Sequence, residues 1–170
     1  PVSQSGETAD TLAAMELAKR KGATLWSNVN VIGSQAMRIS DGFISMQTGP
    51  EIGVASTKAF TAPLVDFYML AVLLADLRGT LPADERKKLV NDLRLVPNLV
   101  SQILQNEEEI TQASREFKFI RNALYLGRGI NMPIAYEGAL KLKEISYIHA
   151  EGYPAGEMKH GPIALVDRDM

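Results

Sequence analysis

Short apolar runs alternate with helical patterns at both ends of this chain, and long helical patterns fill its middle. Pro1-Val2 reads as the end of a buried strand, followed by an alanine-rich helix from Thr8 to Lys21 with Leu12, Met15 and Leu17 among its apolar positions. Gly22 falls where a left-handed helix cap belongs. Ala23 to Ser27 and Phe43 to Met46 read as short strands, with one or two helical turns between them at Gly33 to Ile39. Gln47 to Val54, with Gly49, Pro50 and Gly53, reads as a loop. A long helix then runs from about Ser56 to Leu77 and closes at Gly79, its Pro63 too near the start to break it. Leu81-Pro82-Ala83-Asp84 opens a further helical stretch to about Gln105, which Pro97 should kink or split. Asn106 is placed to cap a helix through Glu107-Glu108-Glu109 to Phe117, with its acids in the favourable first turn. The opening pattern then returns: a short strand at Asn122 to Leu126, a tight Gly127-Arg128-Gly129 loop, and a helix from Ile134 to about Ser146.

Strand–helix alternation of this kind argues for parallel sheets with helices packed on them. The chain predicts an α/β protein, the later part of one α/β domain and the early part of a second, joined by a helical connector. There is no strict internal repeat and no low-complexity tract. With neither an initiator methionine nor a tail after the last apolar run, the sequence reads as a piece of a longer polypeptide.

Composition narrows the partners. The 170 residues are 46% hydrophobic and 22% charged with a net charge of −2, an ordinary globular balance. No basic stripe argues for nucleic acid, and no basic amphipathic helix argues for a membrane surface. The longest apolar run, Met69 to Ala75, is far short of the roughly 20 residues of a membrane span. Cysteine is absent, which removes disulfides and thiolate chemistry and fits a cytoplasmic protein. With two histidines and no cysteine, neither a metal site nor a metal cofactor is expected.

Three stretches carry candidate chemistry. Ser3-Gln4-Ser5-Gly6-Glu7-Thr8 lies where a strand hands over to a helix. Backbone N–H groups there lack helical partners, so hydroxyls and a glycine make a phosphate cradle. Charge-assisted hydrogen bonds of roughly 1.5–3 kcal/mol each would dominate binding. The other reading is an ordinary helix cap, with Ser5 or Thr8 capping and Glu7 at the dipole. Glu51-Ile52-Gly53-Val54-Ala55-Ser56-Thr57-Lys58 repeats the logic, although an N-cap accounts for Ser56. Gly127-Arg128-Gly129 lacks the third glycine of a dinucleotide loop. Most informative is 137–162, where Glu137, Lys141 and Glu144 at spacings of four and three share one helix face. A Gly/Pro-bearing loop then ends in Lys159-His160-Gly161-Pro162. Acid, base and cation concentrated in this way suit proton transfer on a small polar substrate. A surface carboxylate and a plain salt bridge are the competing readings of Glu144 and Lys141. His149, near the predicted helix end, reads as a capping or packing residue.

SQSGETADT at 3–11, EIGVASTKAFT at 51–61, and EGALKLKEISYIHAE with GEMKHGP at 137–162 closely resemble the sugar isomerase (SIS) half of the glutamine–fructose-6-phosphate aminotransferase family. The match covers nearly the whole chain in order. It implies SIS-type three-layer αβα domains: a partial first one at 1–80, a connector at 81–118 and a partial second one at 119–170. It implies conversion of fructose 6-phosphate and ammonia into glucosamine 6-phosphate, without a cofactor, in a homodimer. Ser3, Gln4, Ser5 and Thr8 match positions that hold the sugar phosphate, and Val54 and Ser56 match positions lining the sugar pocket. Glu144 matches the base that moves a proton between C1 and C2, Lys141 its supporting lysine, and His160 the ring-opening histidine that reaches a neighbouring subunit's site. The family's glutaminase half, its first SIS strand and the tail with the Schiff-base lysine are not in this sequence. Two other readings stay open: a non-catalytic phosphosugar-binding SIS module, and an SIS enzyme that removes an amine from a phosphosugar.

Overall fold

The computed structural model describes residues 1–167, so the end of the 119–170 segment lies outside it. The chain divides into two compact units, one at Pro1–Pro97 and one beginning at Asn98.

In the first unit a parallel sheet of order β1-β2-β3 is built from Val2–Ser3, Trp26–Val29 and Gly42–Ser45. Two helices make the crossovers, α1 (Ala9–Arg20) between β1 and β2 and α2 (Gln35–Ile39) between β2 and β3. The central strand carries Ser27, Asn28 and Val29, all buried. Around it the core gathers Leu12 and Met15 of α1, Leu25 and Val29, and Ala36 of α2. Parallel pairing sends all three strand ends the same way, so the loops at 3–8, 30–34 and 46–57 lie at one edge. In open α/β sheets that edge is where ligands bind.

The second strand lies later than the sequence suggests, at Trp26–Val29 rather than Ala23 to Ser27. Two polar residues in it, Ser27 and Asn28, hide the strand from an apolar-run reading. The Leu25 N–H is instead held by the Asp41 carboxylate at 2.8 Å, outside the ladder.

Two long helices follow, α3 (Lys58–Leu77) and α4 (Ala83–Leu104). Pro97 does not split α4, which runs through it unbroken. Pro97 itself is exposed, so its ring is accommodated at the helix surface and not in a core. By length and composition α3, with a mean hydropathy of 1.6, could cross a membrane. Asp66 in its middle is nonetheless buried and accepts a 2.9 Å hydrogen bond from the Asn28 amide on the sheet. That anchorage fits a helix packed on a sheet.

The second unit holds α5 (Glu107–Glu116), β4 (Asn122–Gly127), α6 (Met132–Ser146) and β5 (His149–Pro154). Asn106 stands at the N-cap of α5 but makes no side-chain cap bond, contrary to expectation. β4 and β5 pair in parallel from Asn122↔His149 to Gly127↔Pro154. α6 covers them with Ala135 and Ala139 buried. It ends at Tyr147, whose left-handed backbone (φ 62°) brings its N–H onto the Lys143 carbonyl.

β5 is the strand that the sequence conceals. HAEGYP does not alternate in polarity and contains Gly and Pro, so it reads as loop. Its glycine has a packing reason, since a Cβ at Gly152 would meet the Tyr136 ring of α6 at 2.6 Å. His149 therefore opens a strand and does not cap a helix. Its N–H donates to the Arg121 carbonyl, and its Nε2 pairs with Glu151 at 3.2 Å.

Candidate functional site

The Ser3–Thr8 loop joins β1 to α1 at the carboxyl-end edge of the sheet. Ser3 Oγ accepts the Gly6 N–H at 3.0 Å, and Ser5 Oγ accepts the Glu7 N–H at 3.2 Å. A hydroxyl that accepts from backbone still has its own proton to donate. Thr8 sits at the N-cap of α1, yet its hydroxyl makes no capping bond. The helix-cap reading thus fails for both Ser5 and Thr8, and their hydroxyls remain suited to an anion. Glu7 does not lie at the dipole of α1 either. Its carboxylate accepts the Gln35 N–H, at the start of α2. The Gln4 carbonyl receives the N–H groups of Asn30 and Val31, each at 3.2 Å, which fixes this loop against the end of β2.

A neighbouring loop is joined to the first through Asn30. The Asn30 amide donates to the Gly49 carbonyl at 2.7 Å, while its Oδ1 accepts the Thr48 N–H at 3.1 Å and the Thr48 hydroxyl at 2.9 Å. Beyond Gly49 the loop carries Val54, largely exposed, and Ser56 in a left-handed conformation with φ 53°. Ser56 is not the cap of α3. Thr57 holds that position, and the Glu51 carboxylate takes the Ala59 N–H at 3.1 Å. Sequence reasoning singled out neither Asn30 nor the capping role of Glu51. Asn30 has no motif of its own, and only its place one residue past a strand could have drawn attention.

In the second unit the spacing on α6 delivers the expected row. Lys141 Nζ lies 2.8 Å from Glu144 Oε2 and 3.2 Å from Glu137 Oε1. Partial burial pulls the Lys141 pKa down, but hydrogen bonds and charge from Glu144 and Glu137 outweigh it and hold the ammonium above 10.5. At neutral pH Lys141 is therefore a cation, and the bases on this helix face are its carboxylates. The one cation fixes Glu144 and offsets part of the row's negative charge.

His160 is not part of this ion-paired row. It ends the 3-10 turn Ala155–His160 after β5, exposed, and is followed by Gly161 at φ 147°. Glu151 on β5 pairs with His149 and also accepts the Tyr153 hydroxyl, a bond that raises the phenol's pKa above 10.0.

Comparison with known proteins agrees with this fold. A family model described as the SIS domain matches residues 2–73 and 117–170. Glutamine–fructose-6-phosphate aminotransferase [isomerizing] of Chlorobaculum tepidum is 56% identical over 169 residues, 99% of this chain and 27% of that protein. The protein of the same name from Aquifex aeolicus is 54% identical over 169 residues, again 99% and 27%. The chain thus spans about a quarter of the length of the curated relatives it matches. Among solved structures, the C-terminal domain of glucosamine-fructose-6-phosphate aminotransferase from Francisella tularensis superposes with a TM-score of 0.96 at 46% identity, over 99% of this chain and 48% of that one. Glucosamine-6-phosphate deaminase from Thermotoga maritima, 21% identical with a TM-score of 0.70 over 99% of this chain and 49% of that one, shares the fold. With most of its length matched by the family model, the chain belongs to the SIS domain family.

Proposed function

We propose that this chain is the ketose–aldose isomerase segment of a glutamine–fructose-6-phosphate aminotransferase, two partial SIS domains joined by a helical connector at 81–118. In this reading the parent protein takes fructose 6-phosphate and glutamine-derived ammonia to glucosamine 6-phosphate. It does so as a cytoplasmic homodimer, with a glutaminase domain elsewhere in the same chain. The observation that carries the reading is the Glu137–Lys141–Glu144 row, where a cation that stays charged at neutral pH holds Glu144 at 2.8 Å.

The roles follow from the chemistry. Ser3, Gln4, Ser5 and Thr8 hold the phosphate through hydroxyls and backbone N–H groups, and Val54 and Ser56 line the sugar. Once ammonia has formed an imine at C2, with the C2 oxygen leaving as water, Glu144 takes the C1 proton and returns it at C2. That shift leaves an aldehyde at C1 and an amine at C2. Lys141 fixes Glu144 and balances its charge. His160, whose imidazole can both accept and donate a proton, opens the cyclic sugar in the neighbouring subunit's site.

The test uses the full-length parent. Glu144→Gln keeps size and hydrogen bonding but removes basicity, so binding should survive while turnover falls by about 10²-fold or more. His160→Ala should harm cyclic fructose 6-phosphate more than an open-chain analogue. Mixing the two variants should restore activity in hybrid dimers. Hybrids no more active than their parents would remove His160 from a shared site, and undiminished turnover by Glu144→Gln would remove Glu144 as the base.

A further inference from the structure

Glu7 poses an electrostatic question. A carboxylate in a loop that receives a phosphate should repel it. The structure gives the side chain a different task. Glu7 Oε1 accepts the Gln35 N–H at 2.7 Å, and the preceding Gly6 carbonyl accepts the Ala36 N–H at 2.9 Å. The first two residues of α2 therefore bind two successive residues of the loop.

Gly6 sits tightly in this clamp. Its backbone is left-handed at φ 65°, and a Cβ there would lie 2.2 Å from Ser34 Oγ. Ser34 itself is buried beneath the loop, at 2% exposure. Packing, one backbone bond and one carboxylate thus fix the loop against α2. The free energy of α2's unpaired N–H groups is used to hold the loop and not to bind substrate.

We propose that Glu7 is a positioning residue, which turns its charge onto α2 and so sets the Ser3, Ser5 and Thr8 hydroxyls for the phosphate before substrate arrives. The inference rests on the phosphate reading of this loop. A carboxylate that contacted substrate would be needed for its charge. One that positions the loop is needed only for its acceptor oxygen, which glutamine also has. A preordered loop lowers the ordering cost of binding, so losing the tether weakens ground-state and transition-state binding alike and leaves turnover untouched.

In the full-length parent, Glu7→Ala should raise the KM for fructose 6-phosphate about tenfold with kcat within twofold, a pattern of lost uniform binding. Glu7→Gln should keep KM within twofold of the parent. Hydrogen exchange at the Gln35 amide should speed at least tenfold in Glu7→Ala and stay near the parental rate in Glu7→Gln. An unmoved KM in Glu7→Ala overturns the proposal. So does a Glu7→Gln as impaired as Glu7→Ala, and so does a raised KM with Gln35 exchange unchanged. Ser5→Ala combined with Thr8→Ala probes the phosphate reading separately. If that pair leaves KM unmoved while Glu7→Ala frees the Gln35 amide, Glu7 still positions the loop and the phosphate assignment falls.

Discussion

Asn30 grips Thr48 through a single oxygen, accepting its N–H at 3.1 Å and its hydroxyl at 2.9 Å, while the Asn30 amide donates to Gly49 at 2.7 Å. The Asn30 N–H meanwhile donates to Gln4. One residue past the end of β2 thereby ties the loop after β1, through its backbone, to the loop after β3, through its side chain. The functional proposal assigns the first loop to the phosphate of fructose 6-phosphate and the second to its sugar.

Asn30→Ala should therefore loosen 47–57. The side chain makes three hydrogen bonds that each contribute about 0.5–1.5 kcal/mol, so the parent should lose about 1.5–4.5 kcal/mol. Asn30→Asp keeps the acceptor but sets an oxygen against the Gly49 carbonyl, and should lose at least as much at pH 7. Urea midpoints measure the loss, and protease cleavage within 47–57 should quicken in both variants. Unchanged midpoints and cleavage in Asn30→Ala would show that the loops are held by other means.

Asp66 ties α3 to the sheet in a similar manner, but from a buried position. Asn28 and Asp66 are 3% and 7% exposed, and their hydrogen bond is 2.9 Å. Asp66→Ala strands a buried amide and should cost about 1–3 kcal/mol. Asp66→Asn retains an acceptor and should cost less. Asn28→Ala should cost more than either, because it leaves a carboxylate without its donor. The check is the order of the three urea midpoints at constant m-value, and any other order argues against this bond as the anchor.

Helix periods, the strand–helix alternation and the α6 row were legible because each rests on local spacing. Residues four and three apart on a helix must share a face, whatever surrounds them. What depended on distant partners was not legible. β5 is a strand because β4 lies beside it and Tyr136 covers its glycine, facts absent from HAEGYP. β2 was displaced because a central strand buries Ser27 and Asn28 on either side of its register. From the sequence Glu7 reads as serving α1, its neighbour, whereas it serves α2, its partner Gln35 lying 28 residues further on.

Asp41 offers a prediction in pH. Its Oδ2 accepts the Leu25 N–H at 2.8 Å, and that backbone bond, aided by Lys19, holds its pKa below the ordinary 3.8. A carboxylate with a lowered folded-state pKa stabilises the fold above its unfolded value, and loses that contribution as pH falls through the folded one. The stability gap between the parent and Asp41→Asn should thus be constant from pH 5 to 8 and close only below 3.8. Urea midpoints of both proteins across that range provide the measurement. A gap that widens in acid would reverse the sign and refute the assignment.

The last prediction concerns what the first loop recognises. Ser5 Oγ is already an acceptor for the Glu7 N–H, and Thr8 spends nothing on capping α1, so each hydroxyl proton is available for an incoming oxygen. If that oxygen belongs to a phosphate, each bond is charge-assisted and worth roughly 1.5–3 kcal/mol. Ser5→Ala with Thr8→Ala should then weaken fructose 6-phosphate by about 10²-fold or more in the full-length parent. Free fructose has no phosphate to lose, and its weak binding should shift less than twofold. Calorimetric titration of both sugars into parent and double variant separates the cases. Equal losses for the two sugars would mean that the loop touches the sugar ring, and the phosphate assignment of Ser3, Gln4, Ser5 and Thr8 would fall together.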